Sequence, residues 1–295
     1  MIKIFTLSPL IIVFSSSLAQ DLLSQLSEST KPEKEFLYQT FKGTRVVNGQ
    51  SVEVKGAGEL EFIIGHRFGR INSGAYNFFG WDDAYIRFGL EYGLTSKLGI
   101  GVGRSSYNKI YDGYLKYQIV RQSKGGGSPV TITALASTGI QTVEQDILFK
   151  SKLYYSTELL IARKFSPNLS FQFSPVFVHT NRLDQLAENN DQVALGLSGR
   201  YKITRSVAIN AEYFYRVNAP EAPVPDLYST PQYYDCIGIG IDIETGGHVF
   251  QLIFSNTQGM VDRTFIGQTE GNFFEGDIHF GFNITRTFQL IKPKE

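Results

Sequence analysis

The 295 residues carry 28 Lys plus Arg against 28 Asp plus Glu, so the chain has no net charge. Without a basic excess there is no field to draw in a polyanion, which argues against a nucleic-acid partner. The single cysteine, Cys236, excludes an intrachain disulfide, and the four scattered histidines (His66, His179, His248, His279) have none of the spacings of a metal site. No metal and no cofactor are expected.

The first segment reads as an export signal. Lys3 gives the positive start, Ile4 to Phe14 an apolar core, and Ser17 and Ala19 the small-residue exit, so cleavage is predicted after Ala19, with residues 1–19 removed. The apolar run is too short for a membrane helix and Pro9 interrupts it. No cysteine follows the cleavage point, so a lipid anchor is not predicted. Residues 20–56 form a distinct N-terminal piece. Asp21–Leu26 could start a helix, Lys31–Glu35 is a solvated linker, and Asn48-Gly49 marks a turn. The piece is either a periplasmic arm or a plug.

From residue 57 the pattern changes to short alternating segments. In Ala84–Tyr92 one parity carries Ile86, Phe88, Leu90 and Tyr92; the other carries Tyr85, Arg87, Gly89 and Glu91. Successive strand side chains point to opposite faces, so one face is apolar and the other polar. Strands are predicted at Gly58–Phe68, Ala84–Tyr92, Leu98–Arg104, Ile110–Val120, Pro129–Gly139 and Leu153–Lys164. Six more follow at Leu169–Val178, Gln192–Ile203, Val207–Val217, Tyr233–Ile243, His248–Ser255 and Phe274–Phe288.

Connections after the even strands are mostly tight, such as Thr204-Arg205-Ser206. Most of those after the odd strands are longer, such as Asn218–Gln232 and Asn256–Asn272. Short periplasmic turns and long extracellular loops give this alternation, and an even count returns both termini to the periplasm. Aromatics gather near the outer strand ends (Tyr76, Phe78, Phe79, Trp81, Tyr154, Tyr155, Tyr213, Tyr215), where a membrane belt places them. The expected fold is all-β: an antiparallel transmembrane β-barrel of about twelve strands over residues 57–290, with a tail at 291–295. Outer-membrane lipid and the barrel-insertion machinery are its implied partners. Oligomeric state is not readable.

The polar parity nominates lumen-lining residues: Arg87, Glu91, Arg104, Asp112, Lys116, Glu158, Arg200, Lys202, Glu212, Arg216, Asp242, Glu275 and Asp277. In an open lumen these form a charged conduit for small polar solutes. In a filled one they pair with one another, since a buried charge is tolerated only with partners, and the barrel has a structural or binding role, presenting loops such as Asn218–Gln232 and Asn256–Asn272 to a partner. Twelve strands lie between filled eight-strand barrels and open sixteen-strand porins, so both readings stand. A third reading is a lipid-acting hydrolase using His179 at a strand's outer end. No GxSxG motif accompanies it, so no catalytic residue is nominated and no enzyme is expected. His66-Arg67 and His279 read as lumen or rim hydrogen-bonding residues. Gly99, Gly101 and Gly103 fall on one strand face, where they make room for a bulky neighbour or a plug, and do not form a phosphate loop.

Several stretches carry a family resemblance: Thr40–Gly49, Gly65–Gly69, Ile86–Gly93, Gly101–Ser106 and Tyr111–Tyr117. The chain resembles an uncharacterised "domain of unknown function" family of outer-membrane β-barrel proteins from Bacteroidota. The resemblance implies a barrel and an outer-membrane location, and assigns no activity. It covers the first half of the chain. The sequence departs from the common barrel ending, because Ile291–Glu295 extends past the aromatic Phe288.

Overall fold

A computed structural model of the protein describes residues 34–144, 146–183, 189–219 and 232–291. The predicted signal segment, the helix start at Asp21–Leu26, most of the loop Asn218–Gln232 and the tail after Ile291 lie outside the described residues.

Twelve antiparallel strands close on themselves: β1 Glu59–Arg70, β2 Ala84–Gly93, β3 Leu98–Ser105, β4 Ile110–Val120, β5 Thr131–Gln141, β6 Leu153–Lys164, β7 Leu169–Thr180, β8 Asp191–Lys202, β9 Val207–Arg216, β10 Cys236–Thr245, β11 His248–Ser255 and β12 His279–Gln289. The last strand pairs with the first, from His279 opposite Arg70 down to Gln289 opposite Glu59. Closure leaves no unpaired edge, the requirement for a sheet immersed in lipid.

The two-residue period fixes which face is which. In β4, Tyr111, Leu115, Tyr117 and Ile119 are each about half exposed, while Tyr114 and Lys116 are buried. Phe171, Phe173 and Phe177 of β7 and Phe250, Leu252 and Phe254 of β11 continue the outward apolar belt. Three arginine–aromatic stacks sit on this outer wall or at its edge: Arg104 on Tyr111, Arg163 on Phe165 and Arg286 on Phe288. Long cationic side chains can keep their heads at the interface in this way.

Most strand ends lie within two residues of the sequence reading, and three of the differing ends bear on the site. The last strand starts at His279, not Phe274, because Phe273–Glu275 is a 3₁₀ turn. Asn272 caps it by accepting from the Phe274 N–H at 3.1 Å, and Gly276 ends it with φ 84°. This local turn chemistry outweighs the alternation of Phe274 with Ile278. The tenth strand starts at Cys236, the Tyr234 N–H being held by the Thr269 carbonyl at 2.7 Å. The third runs to Ser105, which turns inward and puts Arg104 on the outer parity.

The lumen is occupied from both ends. With the short-turn end as the periplasmic one, as the loop pattern predicts, residues 40–56 rise from that side as a hairpin whose tip is Asn48-Gly49, the predicted turn. The Val46 N–H donates to the Gly49 carbonyl (2.9 Å) and the Ser51 N–H to the Thr44 carbonyl (2.9 Å). From the extracellular side, residues 256–278 descend and place a short helix, α1 Asp262–Gly267, inside the wall, every residue of it buried. A two-residue pairing of Glu35–Phe36 with Ser123–Lys124 tethers the start of the hairpin below the barrel.

Candidate functional site

The barrel wall holds the hairpin tip by a carboxylate. Glu212, inward on β9, accepts from the backbone N–H groups of Val47 (3.2 Å), Asn48 (2.8 Å) and Gly49 (3.1 Å). Three N–H groups converging on one anion give charge-assisted bonds, stronger than neutral ones. On the other side of the tip, Arg67 of β1 donates to Asn48 Oδ1 at 2.8 Å, and Asn48 Nδ2 donates to Ser255 Oγ at 3.1 Å. Gly49 is required sterically, since a Cβ there would lie 2.6 Å from the Phe214 ring.

The flanks of the hairpin are held as densely. Lys116 donates to the Thr44 carbonyl at 2.9 Å. Gln172 and Thr133 bracket Val52, Gln172 Oε1 accepting from its N–H (2.9 Å) and Thr133 donating to its carbonyl (2.7 Å). Lys55 pairs with Glu61 at 2.6 Å, and Glu53 accepts from Thr40 N–H and Phe41 N–H within the hairpin itself. Apolar contact adds to this: Phe41, Val46, Val47 and Val52 cluster with inward Leu160, Ala162 and Ile253.

Helix α1 is held by a second apolar cluster. Phe265 and Ile266 pack with Val176, Val178, Ala194, Phe214 and Cys236. Phe265 meets Phe214 edge to face, ring centroids 5.1 Å apart. Asp262 accepts from Ser137 at 3.1 Å and also bonds Ser156.

Each nominated lumen residue can now be placed. Arg87 and Asp112 form a buried ion pair, with Arg87 Nε donating to Asp112 at 3.0 Å. Glu91 accepts from the Tyr114 hydroxyl. Arg200 reaches Glu244 at 2.8 Å and Asp242 at 3.7 Å, and Asp242 also accepts from Gln251 at 2.7 Å. Arg216 bonds Asp235 (3.4 Å) and the Tyr233 carbonyl. Lys202 points inward at the periplasmic end, and Glu158 is buried on the lumen face.

Three nominees are off the lumen wall. Arg104 faces outward because the inward positions of β3 are Gly99, Gly101, Gly103 and Ser105. Glu275 is exposed and Asp277 lies in the same extracellular turn, because that segment is not strand. His66 is likewise outside, stacked on Phe282 with centroids 5.0 Å apart. Glu61 was missed, and Arg67 was read with His66 only as a lumen or rim residue, although the β1 alternation Glu61, Ile63, Gly65, Arg67 places both inward by the same rule that found Arg87. The inward apolar residues had a signal too. In Leu159-Leu160-Ile161-Ala162 and Val176-Phe177-Val178 both parities are apolar, the mark of a strand covered on both faces.

His179 faces outward at the rim and its Nδ1 lies 2.6 Å from Asp191. The described residues give it no hydrogen bond to a serine.

Space in the barrel is divided in two. An extracellular cavity of about 550 Å³ lies above α1, and a periplasmic vestibule of about 410 Å³ lies beside Lys42, Lys55, Glu61 and Glu244. Between them the hairpin and loop leave voids of only about 10 and 20 Å³, the size of a single water.

A closed barrel with an apolar outer belt and a polar, hydrogen-bonded interior defines an integral outer-membrane β-barrel. More narrowly, the chain belongs to the membrane-bound beta barrel domain family DUF5777, which it matches over residues 41–288. Among solved structures it is similar to the KdgM porin (9% identity, TM-score 0.47, 78% of this chain and 99% of that one), also solved in complex with disordered oligogalacturonate. It is similar as well to an outer-membrane channel from Pseudomonas putida F1 (9%, 0.47, 80% and 97%) and to outer membrane phospholipase A from Escherichia coli (11%, 0.44, 79% and 91%). These are likenesses of the barrel architecture. No curated protein matches the chain.

Proposed function

We propose that the protein is a channel for small polar solutes that its own chain keeps shut at rest, and that the 40–56 hairpin is the element that leaves to open it. The observation carrying this reading is the pair of vestibules facing each other across a septum whose hairpin half is tied to the wall by hydrogen bonds beside one small apolar cluster. Withdrawal of the hairpin toward the periplasm would join the lower vestibule to the upper lumen, where the Arg87–Asp112 pair and Lys116 would line the passage. The reading assigns no catalytic role to any residue.

A second reading is supported by the apolar packing of Phe41, Val46, Val47 and Val52: a permanently filled barrel that presents its loops to a partner. Planar-bilayer recording separates the two. The intact protein should be silent and a variant lacking residues 40–56 should give stepwise conductance. A deletion variant that keeps its heat-resistant barrel and passes no current would refute the channel.

A milder variant guards against misfolding of the deletion. Asn48 Nδ2 lies 3.9 Å from Cys236 Sγ. Asn48→Cys should therefore form a reducible lock to Cys236, and any rare openings of the wild type should vanish in the oxidised variant and return on reduction.

A further inference from the structure

We propose that the extracellular cavity is a binding site for a neutral polyhydroxyl ligand, the end of an oligosaccharide. Its volume, about 550 Å³, falls within the roughly 300–1,000 Å³ of small-molecule sites. Its lining residues are mostly polar in type, and polar and apolar atoms share its surface almost evenly, as the hydroxyls and ring C–H faces of a sugar would require. Carboxamides (Asn77, Gln258), exposed carboxylates (Asp82, Asp83, Glu270) and the Tyr107 hydroxyl share the wall with Arg70 and His279. Carboxamides both donate and accept, and a carboxylate accepts from two hydroxyls at once, the pattern that neighbouring sugar hydroxyls satisfy. Burial, with Glu270 nearby, pushes the Tyr107 phenol up to about 12, so it stays a neutral hydroxyl.

The charge on the wall selects among ligands. Three carboxylates against one guanidinium, itself bonded to Asp277 at 3.3 Å, disfavour an anionic sugar. The same excess would attract a polyamine, which is therefore the competing ligand in the test below. Among the described residues no three acidic, histidine or cysteine groups are placed to hold a metal ion.

The site is built before any ligand arrives. Asn72 donates to Asp277 (2.7 Å), Arg70 to the Glu270 carbonyl (3.2 Å), and Gln258 to both the Phe68 carbonyl (2.9 Å) and Asp83 (3.2 Å), tying the loops after β1 and β11 together. Two consecutive non-glycine residues of the rim, Phe78 and Phe79, have φ of 45° and 55°. Such conformations carry strain that surrounding structure must hold, and they gather at binding sites. The cavity lies outside the septum, so binding does not depend on whether the barrel opens.

The test uses the full protein in lipid nanodiscs, free of glycoside detergent. Saturation-transfer NMR and calorimetry are run with maltose, cellobiose, lactose and trehalose, with glucuronate and spermidine as charged comparators. Saturable binding of at least one disaccharide is expected, weakened ten-fold or more by Asp82→Asn together with Gln258→Ala and unchanged by Arg205→Gln in the exposed turn at the far end of the barrel. Asp82→Asn alone, which leaves the rim ties in place, should weaken it by a smaller factor. The proposal is overturned if no disaccharide binds, or if glucuronate or spermidine binds more tightly than every neutral sugar.

Discussion

Two segments of the same chain fill this barrel, each packed by an apolar cluster, and they differ in how the chain enters the wall and in how much hydrogen bonding holds them. Residues 256–278 begin and end in β11 and β12, adjacent strands of the sheet, and their helix is embedded through Phe265 and Ile266. Residues 40–56 are joined to the wall directly only at their C-terminal side, where Gly58 N–H bonds the Gly93 carbonyl at 2.9 Å. Their other end runs to a two-residue pairing below the barrel, and their tip is held by Glu212 and Arg67. Apolar packing loses its strength only when the element is withdrawn into water, whereas directional bonds can be exchanged for water one at a time. On the channel reading proposed above, the loop is the fixed half of the septum and the hairpin, which must also unpack Phe41, Val46, Val47 and Val52, is the movable half.

Removing the loop's apolar anchor should have the largest effect. Phe265→Ala should cost about 3–5 kcal/mol and lower the urea midpoint of the whole barrel. Glu212→Gln keeps the side-chain volume but loses the anionic acceptor. It should cost about 2 kcal/mol, seen as a roughly thirty-fold rise in amide exchange at Val47, Asn48 and Gly49 with the global midpoint unmoved. If both variants shift the midpoint alike, the distinction between fixed and movable halves is lost.

The smallest effect concerns the rim. The Asn72 hydrogen bond, helped by the Asn272 N–H and Arg70, holds the Asp277 carboxyl below its ordinary 3.8. A depressed carboxyl pKa contributes stability above the unfolded value and loses it as pH falls through the folded one. The ties between the β1 and β11 loops should therefore persist at neutral pH and loosen only below about pH 4. Asp277→Asn should mimic this at neutral pH for about 0.5–1 kcal/mol. Tryptophan fluorescence from Trp81, stacked on Phe68 at 4.9 Å in the same rim, would follow both.

The parts that were legible in the sequence are those set by a two-residue period or by local turn chemistry. Alternation placed Arg87, Glu91, Lys116 and Glu212 on the inner face, and Asn48-Gly49 announced the hairpin tip. The inward glycines also had a readable meaning: a Cβ on Gly101 would strike the Tyr114 ring at 2.1 Å, and one on Gly103 the Arg87 guanidinium at 2.2 Å. What alternation could not convey is which loop returns to the lumen. Contacts such as Asp262 to Ser156 join α1 to residues more than a hundred positions away, and no local pattern encodes them. The same limit hid the partner of Glu212. Nothing near it in sequence requires an anion; the requirement comes from three backbone N–H groups in a segment made long before it.

That separation bears on how the molecule assembles. Glu212 meets Asn48 across 164 positions, Gln251 meets Val46 across 205, and Asn283 meets Val47 across 236. Contacts between distant residues form late, because the intervening chain must be ordered first. The hairpin precedes every barrel strand in the chain, yet its sockets exist only after β9, β11 and β12 are in place. Until the sheet closes, the segment stays outside the structure it will seal, on the side where chain still in transit could be handled by other factors. The N-terminal piece is thus synthesised first and seated last.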